Sequence, residues 1–276
     1  MKFLIISIFI FLISAKSFAT GQAGDRIILG KDTLQLLNAP FELILQQRNI
    51  GPNDLWGEKF DYNTACWRAY IATWKIENQK LYLIEIAPCN YYDYPQKKYP
   101  KVDLSKMFPD LYINGKIFAN WVNDELLVAD GELLYYDSNG FDRIYSNEKG
   151  LFFKDGLLLK SVDYDNSKTK ISPYSQNEIL LRDFIQSSIK WNEVKSEIDS
   201  NTKKVYCTIV SVNEYAKIDS ISIFRSVQSE ILNAEAVRVI KSIPEWDILY
   251  KKGKPVSKLW TLPVSFDKEM MKKYNN

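Results

Sequence analysis

The chemistry open to this chain is limited first by what it lacks, since none of its 276 positions is histidine. Ser-His-Asp and Cys-His nucleophilic sites are excluded, together with the usual histidine-containing zinc sites. Carboxylate-only or lysine-based catalysis needs a recognisable pair in a pocket, and the sequence announces none. The expectation is a non-enzyme with no catalytic residue, no metal and no cofactor. Three groupings remain as binding chemistry. Asp137, Asn139 and Asp142 bring oxygen ligands close together, but without the full spacing of a calcium loop, and a simple turn is the stronger reading. Tyr91, Tyr92, Tyr94 and Tyr99, with Lys97 and Lys98, would stack on a sugar or touch a partner, although exposed loop tyrosines are also ordinary. Trp67-Arg68 would make a cation–π or carboxylate-binding site. Alternation along a strand instead puts Trp67 in the core and Arg68 on the opposite, exposed face.

The cysteines Cys66, Cys89 and Cys207 depend on compartment, and the N-terminus speaks to that. Met1-Lys2 is positively charged, Phe3 to Ile13 is apolar apart from Ser7, and Ser17 and Ala19 fit the small-x-small pattern of signal peptidase. A cleaved signal over residues 1–19 is expected. A membrane-spanning anchor needs roughly 20 apolar residues, and Lys16 ends the run short of that. The mature chain is then exported, with no transmembrane helix of its own, and disulfides are permitted. If the flanking strands form a hairpin around Glu77-Asn78-Gln79-Lys80, Cys66 and Cys89 come out nearly opposite each other. A Cys66–Cys89 bridge and two separate buried thiols are both open, because bridging needs Cα atoms within about 7 Å. Cys207, inside an apolar run, reads as an inert core thiol. Removing residues 1–19 takes away Lys2 and Lys16 and no acid, which leaves 34 basic and 34 acidic side chains. A net charge of zero argues against nucleic acid or an anionic membrane surface as partner. With 46% hydrophobic and 14% aromatic residues, the chain can fill a large core, and its length suits two domains.

The elements that would position these residues change character along the chain, and the class expected is α+β. From Asp25 to about Lys160 the runs are short, aromatic and β-branched. Asn123-Asp124, Asp130-Gly131, Asn139-Gly140 and Asp155-Gly156 punctuate them as turns, which predicts a meander of antiparallel strands in a β-rich domain over residues 20–162. Residues 163–174 are polar and read as a linker. Beyond them, residues 175–267 read as helix, strand, strand, helix, strand. Ser175-Gln176-Asn177-Glu178 looks like a capped helix start. Lys204 to Val212 and Ile218 to Phe224 form a hairpin, Asn233 to Ile243 is an amphipathic helix stopped by Pro244, and Val256 to Phe266 is the last strand. Residues 268–276 read as a polar tail.

That second order carries a resemblance. Glu235-Ala236-Val237-Arg238-Val239-Ile240-Lys241-Ser242-Ile243-Pro244-Glu245-Trp246 resembles the signature of the TonB C-terminal domain family, in which a helix runs into P-x-W. Gly253-Lys254-Pro255-Val256 and Trp260-Thr261-Leu262-Pro263-Val264-Ser265-Phe266 are similar to the family's last strand. The resemblance covers about residues 172–267. It implies a small α/β unit that binds an extended peptide of an outer-membrane transporter by strand addition along its last strand, here Leu259, Trp260, Thr261, Leu262, Val264, Ser265 and Phe266. It also implies the periplasm, or association with the outer membrane, of a Gram-negative cell. The family's uncleaved anchor and Pro-rich spacer have no counterpart in this reading, so docking is expected rather than energy transduction. The alternative is a structural module that dimerises last strand to last strand, with an N-terminal ligand-binding domain. The N-terminal part, through Asp25-Arg26-Ile27-Ile28, Cys66 to Trp74 and Leu81-Tyr82-Leu83, resembles exported proteins of Bacteroidetes-type bacteria, which implies no activity.

Overall fold

Short β-branched and aromatic runs between tight turns build the first half of the chain. A computed structural model describes residues 20–57, 63–137 and 140–274, the side chain of Lys97 excepted. The expected signal over 1–19, Asn139 and the last two residues of the expected tail lie outside the described residues. Strands β1 (Asp25–Leu29) and β2 (Asp32–Leu36) form a hairpin. Helix α1 (Phe41–Gln47) begins directly after Pro40 and buries Phe41, Ile44 and Leu45; α2 (Pro52–Trp56) follows. Strands β3 (Tyr70–Glu77) and β4 (Lys80–Pro88) turn through Asn78 and Gln79, both at positive φ, the conformation a tight two-residue hairpin requires. After α3 (Leu104–Met107) come β5 (Tyr112–Ile113), β6 (Lys116–Phe118), β7 (Glu125–Tyr136), β8 (Arg143–Lys154) and β9 (Leu157–Asp165).

These strands lie in the order β3-β1-β2-β7-β8-β9-β4, and pairing of β3 with β4 closes the order into a barrel-like ring; β6 and β5 extend it beside β4. The closure is thin between β4 and β9, which meet only at Lys80 and Leu157. The antiparallel meander has one departure, because β1 runs parallel to β3. Parallel neighbours need a crossover, and the segment holding α1 and α2 supplies it. The ring is filled by Ile27, Leu36, Tyr70, Trp74, Leu81, Leu83, Val128, Leu151 and Phe153, with Phe41 and Phe108 packed in from the helices. Full burial of each large apolar side chain contributes about 1.5–3 kcal/mol.

The second half holds α4 (Pro173–Gln176), α5 (Glu178–Ser188), α6 (Trp191–Val194), β10 (Lys203–Val212), β11 (Ile218–Arg225), α7 (Glu230–Lys241), β12 (Leu249–Lys251), β13 (Lys254–Val256), β14 (Trp260–Phe266) and α8 (Lys268–Tyr274). Helix α5 is capped by Asn177, whose side chain accepts from the amides of Ile179 and Leu180. Helix α7 is capped by Ser229, and Leu232, Ala236, Val239 and Ile240 are its buried stripe. Ala236 and its neighbours lie over a three-stranded sheet in the order β11-β10-β14. The second core gathers Trp191, Val205, Cys207, Ile209, Ile240, Trp246, Val264 and Phe266.

Two segments of the second half differ from the sequence reading. The expected strand from Val256 to Phe266 is interrupted: β13 folds back on β12 as a separate hairpin, and β14 starts at Trp260. The expected polar tail is helical as far as Tyr274, because Asp267 caps it by accepting from the amides of Glu269 and Met270. Met270, Met271 and Tyr274 then pack on the second core. Between the two cores, Tyr135, Ile144 and Leu249 bury one another against Ile171 and Trp260.

Candidate functional site

Strand β14 is the outer strand of its sheet, and its alternation decides what it offers. Leu262, Val264 and Phe266 point into the core, while Thr261 and Pro263 are exposed. Leu259 lies ahead of the strand and is 66% exposed. On one flank β14 pairs with β10 from Lys203↔Phe266 to Ile209↔Trp260. On the other flank, the Ser265 carbonyl accepts from Gln186 Nε2 of α5 at 3.2 Å. A carbonyl that points away from β10 places Ser265 among the residues whose polar backbone atoms face outward, and period-two alternation puts Pro263 and Thr261 in the same set. Pro263 therefore removes a donor from the outer edge and costs the β10 ladder nothing, in keeping with proline's place on edge strands.

A groove of about 280 Å³ runs along this edge, walled by Leu181, Arg182 and Ile185 of α5, by Leu262 and Pro263, and by Met270 of α8. Its walls are chiefly apolar, with Glu178 and Arg182 the charged residues among them. Gln186, Ile185 and Met270 were not visible as site residues in the sequence. Nothing in the local pattern of α5 or of the tail tells that either lies beside β14.

The helix signature Glu235-Arg238 has a bonding role. Glu235 is 7% exposed, and its carboxylate accepts from Arg238 Nε and from the Lys190 amide, each at 2.7 Å. Arg238 also donates to the Ser188 carbonyl at 2.5 Å. The pair ties α7 to the α5–α6 connection. Burial alone would push the Glu235 carboxyl up, but Arg238 and the Lys190 amide outweigh it and hold it below its usual range.

In the first half, Cys66 and Cys89 form a disulfide with Cα atoms 5.9 Å apart, and Cys207 is buried with its thiol pushed up to about 11 by burial. Trp67 and Arg68 exchange the places expected of them: Trp67 is 58% exposed and Arg68 is 3% exposed. Residues 67–69 are a turn that ends in Ala69 at φ 65°, so the alternation assumed for a strand starting at Cys66 does not apply. Arg68 reaches Asp25, at 3.4 Å, and the Ala23 carbonyl. Asp25 is fully buried and also accepts from Trp74 Nε1 and the Ala72 amide. Burial outweighs these partners and pushes its carboxyl up to about 6.

The tyrosines of residues 91–99 meet edge to face, Tyr91 against Tyr92 and Tyr99, and Tyr94 against Tyr99; the Arg26 guanidinium lies over Tyr91. Asp137 and Asp142 meet lysines of the second half, Lys258 and Lys251 respectively. Among the described residues, no three metal-ligating side chains come together and no helix is long and apolar enough to cross a membrane. No family model matches this chain, and neither a curated protein nor a solved structure matches it.

Proposed function

We propose that the protein is a non-enzymatic, exported envelope component that docks an extended peptide of a partner along β14, with an outer-membrane transporter as the partner class. The observation that carries this reading is the outward edge of β14 opening onto an apolar groove. Strand addition takes its affinity from main-chain hydrogen bonds and its selectivity from pockets for alternate side chains. Here Thr261 and Ser265 supply amides and Pro263 supplies a carbonyl, while the groove between α5 and β14 receives an apolar side chain of the guest. The Ser265 carbonyl is already engaged by Gln186, so a guest either displaces that amide or pairs short of it. The resemblance of residues 172–267 to the TonB C-terminal domain supports the same choice of strand.

Because the Ser265 amide faces outward, Ser265→Pro removes a guest contact and leaves the β10 ladder whole. The test passes a cell-envelope extract over immobilised residues 20–276 and over the Ser265→Pro variant, with recovered proteins identified by mass spectrometry. Recovery of outer-membrane transporters by the parent, reduced roughly tenfold or more in the variant, is the expected outcome for loss of a backbone hydrogen bond plus a steric clash. Equal recovery by both proteins, or no transporter with either, sinks the reading.

A further inference from the structure

The second sheet has a further outer strand, β11, and nothing among the described residues pairs with its outer flank. From Asp219 to Arg225 every residue but the half-buried Ile221 is exposed. Phe224 is 71% exposed and Ile223 40%, and Ile231, in the first turn of α7, is 51% exposed. Edge strands are commonly blunted by lysine or proline, and β11 carries neither. Backbone alternation fixes what the flank offers. The Ser265 carbonyl points away from β10, so Leu262 and Val264 turn toward β10, and their partners Cys207 and Val205 toward β14. Thr208 then turns to β11, where it meets Ser222. Ser222 gives its N–H and C=O to β10, and Ile221 and Ile223 present theirs outward. The register shifts against β10 fall outside this stretch, so Ile221 to Ile223 is regular strand.

We infer that β11 pairs antiparallel with β11 of a second copy, about a twofold axis at Ser222, so that the two three-stranded sheets become one continuous sheet. In such a pair, directly opposite residues share a face of the sheet, so the axis must pass through a residue. About Ser222, Ile221 of each copy stands opposite Ile223 of the other, and each pair exchanges both backbone hydrogen bonds. Asp219 of each copy then stands across from Arg225 of the other. Within one chain Arg225 lies over the Tyr206 ring at 5.2 Å, and Asp219 accepts from Ser211 Oγ at 3.5 Å. Among the described residues neither makes an ion pair. Charge selects this register. An axis at Ile221 sets Lys217 against Arg225, and like charges directly opposite are destabilising. An axis at Ile223 sets Arg225 against the apolar Ile221. The β14 edges lie at the two ends of the joined sheet, so the dimer leaves both open. Pairing through the last strands would cover them. The inference does not depend on peptide docking along β14.

The test is sedimentation equilibrium of residues 20–276, of Arg225→Asp and Asp219→Arg alone, and of the two variants mixed in equal amounts. The interface is small, and its affinity is expected on the order of micromolar, so the protein concentrations bracket that value. Arg225→Asp sets two acids across from each other and Asp219→Arg two bases, at both ends of the pair. Expected are a dimer of the parent, dimerisation roughly tenfold weaker in each variant, and recovery of the parent's affinity in the mixture. That recovery requires both variants to be folded, because each chain then meets the opposite charge on the other. Cysteine crosslinking locates the axis. Two Ser222 positions at a non-hydrogen-bonded pair have Cα atoms about 4.5 Å apart, within disulfide reach. Ser222→Cys is therefore expected to form a disulfide-linked dimer on oxidation, and Thr261→Cys, equally exposed on β14, is not. A monomer throughout, a dimer that Arg225→Asp does not weaken, a mixture no tighter than its components, or crosslinking through Thr261→Cys and not Ser222→Cys would each overturn the inference.

Discussion

At the scale of single residues, the buried charges carry the sharpest consequences. Glu235 accepts from two donors of Arg238 and from the Lys190 amide at a buried position, so its removal leaves the Lys190 amide without a partner and Arg238 with its Ser188 bond alone. Glu235→Ala is expected to lower stability by roughly 2–4 kcal/mol at neutral pH, read by urea unfolding. Its carboxyl is held below the usual value of 4.5, so its contribution is present above that value and is lost as pH falls through the lower folded one. The gap between parent and variant should therefore narrow in acid. Asp25 has the opposite sign. Burial raises its folded value from 3.8 to about 6, so its contribution is full below 3.8 and is lost as pH rises through about 6, on the order of 3 kcal/mol in all. The stability–pH curve of Asp25→Asn should lack that decline, whatever its absolute level. An identical slope in the two proteins would contradict the buried, proton-binding Asp25. Neither residue declared this role in the sequence. Arg68 is buried because it reaches across 43 positions to Asp25, and a turn residue at positive φ upset the alternation that placed Trp67 inside.

At the scale of elements, much was legible where local signals are strong. The Asn78-Gln79 hairpin, the α5 start at Asn177 and the β10–β11 hairpin follow from turn and cap chemistry. The amphipathic α7 follows from apolar periodicity. Non-local pairing was not legible: β1 lies parallel to β3 because of what surrounds it, and the tail becomes α8 through an Asp267 cap and three apolar residues that read as polar overall. The candidate edge was legible in part. The core-facing alternation of Leu262, Val264 and Phe266 was visible in the sequence, whereas the groove wall contributed by α5 and α8 was not. The disulfide belongs to this scale too. It closes a loop across 23 positions, and its reduction is expected to lower stability by roughly 3 kcal/mol. A melting temperature that does not move when Cys66 and Cys89 are both changed to serine would contradict that.

At the scale of the molecule, two cores meet through the segment after β9 and the β12–β13 hairpin. Lys170 and Ile248 form an isolated bridge, the Gly253 amide donates to Asn166 Oδ1 at 2.9 Å, and Lys251 and Lys258 reach carboxylates of the first half. These contacts come from the β12–β13 hairpin, its flanks and Lys258 ahead of β14, whereas the groove on the outer edge of β14 is lined by α5 and α8. The central claim is that a partner strand is added at this edge. The most direct measurement places a photo-crosslinking amino acid at position 263 on β14, or at position 222 on β11, the other outer strand, in the protein within its native envelope. The account predicts crosslinks to an outer-membrane transporter from position 263 and none from position 222. Equal crosslinking from both positions, or no transporter captured from position 263, would contradict it.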